Sequence, residues 1–280
     1  MRVELNGLEF NVEIEGEGPP LLVLHCFTGS ARAWDDIRPR LARTAQVIAI
    51  DLIGHGQSAS PALSSRYTLE WCTGDLLRLL DEMRLAKADL LGYSMGGRVA
   101  LHLAVAAPPR VRMLILESAS PGIEDPAERS RRAHGDAALA ERILANGIEA
   151  FVAEWEQQPL LALQPHVPEA VRQRQHALRL LNSPSGLANS LFGMGAGQQL
   201  PLWSRLGDLD LPVQLIVGQA DSRYVAIAER MRHSLPRAQL TVLPMAGHTA
   251  HLDQPEAFLR SVHQTLTNRV TPADCTLSTN

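Results

Sequence analysis

Residues 90–98 read Leu-Leu-Gly-Tyr-Ser-Met-Gly-Gly-Arg. An apolar run ends at Gly92, a serine stands between glycines, and good helix formers follow. This is G-x-S-x-G, spelled Gly92-Tyr93-Ser94-Met95-Gly96, in the strand–turn–helix setting that gives the pattern its meaning. Such a turn is so tight that side chains must vanish where backbone passes close by. Ser94 is thereby thrust above the sheet. The helix beneath it begins with N–H groups that lack internal partners and can hold developing negative charge. The flanking pattern argues against a small-residue turn without chemistry.

Outward from this turn, strand-like runs occupy 8–14, 21–25, 47–51, 88–93, 113–118, 213–218 and 239–243. From the second onward they are almost continuously apolar, as parallel strands buried on both faces require. Helical patterns lie between many of them, at 69–84, 95–106, 226–234 and 255–267. Alternating strand and helix predicts an α/β fold with a doubly wound, mostly parallel sheet. The alternation stops between 119 and 207, where no strand pattern stands out and Ile148, Phe151, Val152 and Trp155 fall on one helical face. The expected organisation is a core formed by 1–118 and 208–268, a helical cap at 119–207 over the C-terminal edge of the sheet, and a polar tail at 269–280. Open α/β sheets place their ligands at that edge.

Composition narrows the classes. A chain of 280 residues, 45% hydrophobic, has ample material for a core. A net charge of −4 gives no support to nucleic-acid binding, and no apolar run approaches the ~20 residues needed to span a bilayer. Residues 1–14 alternate apolar and polar and carry acids, as a first strand does and a signal peptide does not. Cys26, Cys72 and Cys275 are odd in number and far apart, which suggests neither a disulfide framework nor a metal site and fits a cytoplasmic setting. No metal or cofactor is implied: there is no phosphate-binding glycine pattern and no clustered ligand spacing. Of 26 basic residues only Lys87 is a lysine, so any single arginine is expected to be a surface charge unless something else singles it out.

A serine hydroxyl needs a partner to take its proton. Asp221 follows the strand-like run 213–218, and His248 follows the last run, so both stand on the rim that carries Ser94. Ser94, Asp221, His248 is the α/β-hydrolase chain order. In that arrangement His248 exchanges the proton with Ser94, while Asp221 fixes the imidazole tautomer and stabilises its charged form. His251 competes with His248 but lacks a preceding glycine, and Glu117, at the end of its own strand, is the alternative acid. The loop after the second run, His25-Cys26-Phe27-Thr28-Gly29, points to the backbone N–H of Phe27 as one oxyanion donor and that of Met95 as the other. His55, in the loop at 51–58, reads as structural.

With these residues in place, the chain resembles the α/β-hydrolase superfamily over residues 1–268. G-Y-S-M-G-G-R followed by V-A-L, S-P-G at 120–122, W-E-Q-Q-P at 155–159 and A-G-H-T-A-H at 246–251 resemble a narrower family, the 2-succinyl-6-hydroxy-2,4-cyclohexadiene-1-carboxylate synthases of menaquinone and phylloquinone biosynthesis. That resemblance implies a lyase. It eliminates pyruvate from 2-succinyl-5-enolpyruvyl-6-hydroxy-3-cyclohexene-1-carboxylate, with the serine acting as base on a ring proton. It also implies Arg98, Arg132 and Arg179 as carboxylate-binding positions and Tyr93 and Trp155 as pocket positions. Arg98 lies one helical turn after Ser94, and guanidinium forks suit carboxylates. Arg131 is the substitute for Arg132, and Trp155 also completes an apolar stripe. Two departures stand out: Cys26, where relatives have glycine after His25, and Leu161, where relatives often have an aromatic. The competing readings are a serine hydrolase of esters, thioesters or carbon–carbon bonds, for which a neutral substrate would not need several arginines, and a catalytically silent ligand-binding hydrolase fold. Epoxide or dehalogenating hydrolysis would require a carboxylate where Ser94 stands.

Overall fold

The runs that are apolar without alternation become strands with both faces covered. The computed structural model describes residues 1–267; the expected tail at 269–280, with Cys275, lies outside them. The strands are β1 (Arg2–Leu5), β2 (Leu8–Glu15), β3 (Pro20–Leu24), β4 (Gln46–Ile50), β5 (Ala88–Tyr93), β6 (Val111–Glu117), β7 (Val213–Gly218) and β8 (Ala238–Leu243). They form one sheet in the order β1-β2-β4-β3-β5-β6-β7-β8. Strands β3 to β8 run parallel, and at one edge β2 runs against them and β1 pairs antiparallel with β2. Residues 1–14 were expected to hold a single first strand. They instead form a hairpin, because Asn6 and Gly7 both take positive φ (49° and 79°), the two-residue turn that reverses a chain within its own twist.

Helices α1 (Arg38–Leu41), α2 (Leu69–Glu82) and α3 (Met95–Ala106) precede β6. Alternate residues of β3 face opposite layers. Leu22 and Leu24 join a cluster with Leu79 of α2 and Val99 of α3, whereas Leu21 and Val23 join one with Leu41 of α1. Between β6 and β7 come α4 (Pro126–Trp155), α5 (Glu169–Leu180) and α6 (Pro184–Met194), with no strand among them. These helices have an apolar core of their own, including Ile143, Phe151, Val152, Leu187 and Leu191, with Ile148 and Trp155 packed against it. Gly147 breaks the helical geometry of α4 (φ 82°, ψ 178°), so the stripe that starts at Ile148 belongs to a separately directed arm. After β7 come α7 (Ser222–Ser234), α8 (Ala250–Asp253) and α9 (Pro255–Thr267). Helix α7 begins four residues before the periodic pattern because the Asp221 carboxylate caps it, accepting from the Tyr224 N–H at 3.3 Å.

The turn at Ser94 depends on close backbone approach. A Cβ on Gly96 would lie 2.1 Å from the Leu24 carbonyl oxygen at the end of β3. Gly96→Ala is therefore expected to destabilise the protein by several kcal/mol, because backbone on both sides must move. Gly74, inside α2, has no atom within 4 Å of such a Cβ. Gly74→Ala should stabilise by about 0.5–1 kcal/mol through helix propensity. Chemical denaturation of the two variants checks both signs.

Candidate active site

Ser94 occupies a conformation that few side-chain-bearing residues adopt, with φ 51° and ψ −107°. Its N–H donates to the Glu117 carbonyl on β6 at 2.8 Å, and its carbonyl accepts from the Arg98 N–H at 3.0 Å. The elbow is thus held by the neighbouring strand and by its own helix. Strain of this kind persists where surrounding structure over-determines it.

The loops after β7 and β8 meet on the same rim. Gly218 permits the meeting: a Cβ there would sit 2.1 Å from the Gly247 carbonyl oxygen. The Gln219 N–H donates to Leu243 at 2.8 Å and the Ala220 N–H to Ala246 at 2.9 Å. His248 then lies with Nδ1 2.6 Å from Asp221 Oδ2 and Nε2 3.0 Å from Ser94 Oγ. Both residues of the imidazole–carboxylate pair are buried. With Nδ1–H donating to Asp221, Nε2 is left to accept from the serine, so the chain can take a proton through Ser94 and store it as a paired imidazolium. The Tyr224 ring stands 4.6 Å from His248 and covers it on the α7 side.

His251 and Glu117, the runners-up for base and acid, are found paired with each other. Glu117 accepts from the His251 ring Nδ1 at 2.8 and 2.9 Å and from the His251 N–H at 2.9 Å. Both are fully buried between Tyr93, Trp34 and Phe258. Neither side chain hydrogen-bonds to the Ser94 hydroxyl, and neither lines the cavity that Ser94 faces.

Met95 is the first residue of α3, so its N–H is one that the helix leaves for a ligand. The loop bearing Phe27 is braced from below and above. Buried His25 accepts the Leu52 N–H on Nε2 at 2.9 Å and donates Nδ1–H to the Cys26 carbonyl at 2.7 Å. Burial pulls its pKa down to about 4, so the neutral ring needed for this double role is kept. From the cap, Asn182 donates to the Thr28 carbonyl at 2.9 Å, and Phe151 and Trp155 pack edge-on against the Phe27 ring. Cys26 needs no special backbone: the left-handed residue of this loop is Thr28, φ 69°. A Cβ in place of the usual glycine is accommodated without strain, and burial pushes its thiol up to about 12, which keeps it protonated.

A cavity of about 320 Å³ opens between the serine and the cap. Its lining includes Ser94, Met95, His248, Phe27, Trp155 and Tyr224. Trp155 therefore serves both the stripe and the cavity. Arg98 and Arg132 also face it. Arg98 donates to the Met194 carbonyl at 3.0 Å and to Gln199 Oε1 at 3.3 Å. No carboxylate pairs with it among the described residues. Burial lowers its pKa to about 10, still leaving it cationic at neutral pH. Arg132 pairs with Asp136 at 2.7 Å, and Arg131 is not in the lining.

Arg179 and Tyr93 are placed differently. They line a narrow recess of about 20 Å³ behind Cys26, Phe27 and Leu161, where Arg179 pairs with Glu156 at 2.6 Å and Tyr93 shares a hydrogen bond with Thr249 at 2.7 Å. The recess shares Phe27, Trp155 and Leu161 with the large cavity but is not part of the serine's own lining. Three residues that sequence reading passed over do face the serine. Tyr224 could have been found by its place three residues after Asp221. Arg142 shares one face of α4 with Arg132, Asp136 and Leu139, so helical spacing from Arg132 could have found it, whereas Gln158, in the turn after α4, carried no local signal. Among the described residues no cluster of three or more His, Cys, Asp or Glu is disposed to hold a metal ion.

An elbow serine, a strand-end aspartate and a loop histidine on a doubly wound sheet define an α/β-hydrolase-type centre. The family model described as the α/β hydrolase fold matches residues 19–255. A Bacillus subtilis (strain 168) protein, provisionally named 2-succinyl-6-hydroxy-2,4-cyclohexadiene-1-carboxylate synthase, is 41% identical over 265 residues, 94% of this chain and 96% of its own length. An Enterobacter sp. (strain 638) protein named for the same synthase is 34% identical over 90% of this chain and 93% of its own. The solved structure of MenH from S. aureus superposes with a TM-score of 0.88 at 32% identity, covering 93% of this chain and 98% of that one. The chain belongs to the α/β-hydrolase fold family and, within it, to the family of these synthases.

The buried neutral imidazole of His25 makes stability pH-dependent. Its pKa is lowered on folding, so the unfolded chain binds the extra proton. The contribution is complete above pH 6.5 and is lost as pH falls toward 4. Denaturant unfolding should show a loss of about 2 kcal/mol from this residue between pH 7.5 and 5. The loss should shrink in His25→Gln.

Proposed function

We propose that this chain eliminates pyruvate from 2-succinyl-5-enolpyruvyl-6-hydroxy-3-cyclohexene-1-carboxylate, giving 2-succinyl-6-hydroxy-2,4-cyclohexadiene-1-carboxylate, with Ser94 as the base. The observation that carries this reading is Arg98: a half-buried guanidinium without a carboxylate partner among the described residues, facing the same cavity as Ser94 and His248. Burying an uncompensated charge is costly, so such a group suits an anionic ligand. The charged lining, Arg98, Arg132, Arg142 and Asp136, is positive on balance and suits a substrate with several carboxylates. Membership of the synthase family supports the same activity.

The chemistry follows from the substrate's structure. The ring carbon bearing the succinyl group is acidic because its carbanion delocalises into the succinyl carbonyl. Ser94 Oγ takes that proton and passes its own to His248 Nε2, where Asp221 stabilises the imidazolium. The N–H groups of Phe27 and Met95 receive the charge growing on the carbonyl oxygen. Collapse of the enolate moves the ring double bond and breaks the carbon–oxygen bond to the enolpyruvyl group. The departing enolate takes a proton at carbon and leaves as pyruvate, so the proton lost by the ring is balanced by the one gained. No acyl-enzyme forms.

In this reading the helices of 119–207 act as a cap that supplies charge and excludes water, over a core formed by 1–118 and 208–268. Arg179 would meet the substrate only where it reaches the recess behind Phe27, with Tyr93 shaping that recess. Among the described residues no helix is long and apolar enough to cross a membrane. We place the protein in the cytoplasm, acting on a dissolved small-molecule polycarboxylate without metal or organic cofactor.

Pyruvate release from the enolpyruvyl intermediate, coupled to lactate dehydrogenase, tests the proposal. Ser94→Ala should abolish release while leaving the thermal transition in place; turnover at the wild-type rate would remove Ser94 from the mechanism. Arg98→Ala should lower kcat/KM for the intermediate by the loss of a charge-assisted contact, ~1.5–3 kcal/mol, or roughly ten- to a hundredfold. A neutral p-nitrophenyl ester should be affected far less. Efficient hydrolysis of that ester by the wild type, with no pyruvate from the intermediate, would favour a serine hydrolase instead.

A further inference from the structure

The segment that presents His248 is tied down on two sides, and the two ties differ in what they connect. Beneath it, Glu117 at the end of β6 holds the ring and the N–H of His251, and the Tyr93 hydroxyl holds Thr249. Those bonds join the segment to the sheet. The other tie is Asp253, which is buried although it lies on the one-turn helix α8. Its Oδ2 accepts the N–H of Gly247, the residue just before His248, at 2.7 Å. Its Oδ1 accepts the N–H of Gln164, in the stretch between α4 and α5, at 2.9 Å. The Asp253 carbonyl pairs with His166 Nε2 from the same stretch at 2.6 Å. Arg172 of α5 in turn donates to the carbonyls of Leu163 and Gln164. One carboxylate thus bonds the backbone beside the proton acceptor with one oxygen and the cap with the other.

We propose that Asp253 is a positioning residue: its carboxylate fixes the backbone at Gly247 against the 163–166 stretch of the cap, and so sets the reach of His248 to Ser94. A hydrogen bond of 3.0 Å between Nε2 and Oγ leaves little room for error; misplacement by 1 Å far from the chemistry can cost a hundredfold in rate. An aspartate suits the role because it offers two acceptor oxygens. Asparagine offers one, and its amide nitrogen would oppose the second N–H. This inference rests on the reading of His248 as proton acceptor for Ser94, but not on the identity of the substrate.

The test is the rate at which a fluorophosphonate labels Ser94, since attack on phosphorus, with loss of fluoride, needs His248 to take the serine proton. The variants are Asp253→Asn and His166→Ala, compared with wild type, each shown to be folded by circular dichroism. Asp253→Asn should label at least tenfold more slowly, and pyruvate release should lose kcat with KM changed by less than threefold. His166→Ala, which loosens only the cap side, should label about threefold more slowly. A folded Asp253→Asn protein that labels at the wild-type rate overturns the proposal. Should that variant not fold, wild-type labelling by His166→Ala overturns it. Wild-type protein that labels readily yet releases no pyruvate would sink the lyase reading and leave this one standing.

Discussion

Backbone passing almost in contact with backbone is the constraint from which the site follows. At Gly96 the first turn of α3 presses on the end of β3, and at Gly218 the end of β7 presses on the loop after β8. The first contact sets the loop that follows β3, with Phe27, beside the Ser94 elbow. The second brings Asp221 and His248 to within 2.6 Å. Parallel strands make this economical, because every strand end from β3 to β8 delivers its loop to the same rim. Three side chains spread over 154 positions of the chain then meet at one rim.

The cap adds what the sheet cannot. A triad alone has no preference for charge; to Arg98 of α3 the helices of 119–207 add Arg132, Arg142 and Asp136 around the 320 Å³ space above it. The same helices reach down to the core: Asn182 holds the Thr28 carbonyl, and Phe151 and Trp155 grip Phe27. The loop bearing Phe27 is therefore shaped jointly by buried His25 below and by these helices above. The helices that border the cavity and those that brace the Phe27 loop are therefore the same.

Sequence reading ranked His251 below His248 and Glu117 below Asp221, and the geometry gives that order a physical basis. The two lower-ranked residues satisfy one another in the interior, three residues along the loop and one strand away from the working pair. Two carboxylate–imidazole pairs thus lie close together. One has an imidazole nitrogen free to reach a serine at the cavity; the other is enclosed by aromatic rings. Proximity of His to an acid would not separate them, but access to the elbow does.

What could be read from residue order was whatever depends on local pattern. The apolar runs gave strands and the glycine spacing gave the elbow, because each is imposed by backbone geometry within a few residues of itself; Asp221 and His248 could be read because each follows a strand-like run, and parallel strands bring those ends to one rim. Arg98 was singled out by the family resemblance, and its place one turn after Ser94 agrees with it. Contacts made across the fold were hidden. The place of Gln158 at the cavity, the retreat of Arg179 and Tyr93 into a side recess, and the tie between Asp253 and Gln164 arise only when segments distant in the chain are packed together. Helical periodicity tells which face of a segment is apolar but not which neighbour it meets or at what angle. Those choices belong to the packing of the cap on the sheet, and with them the distribution of charge around the serine.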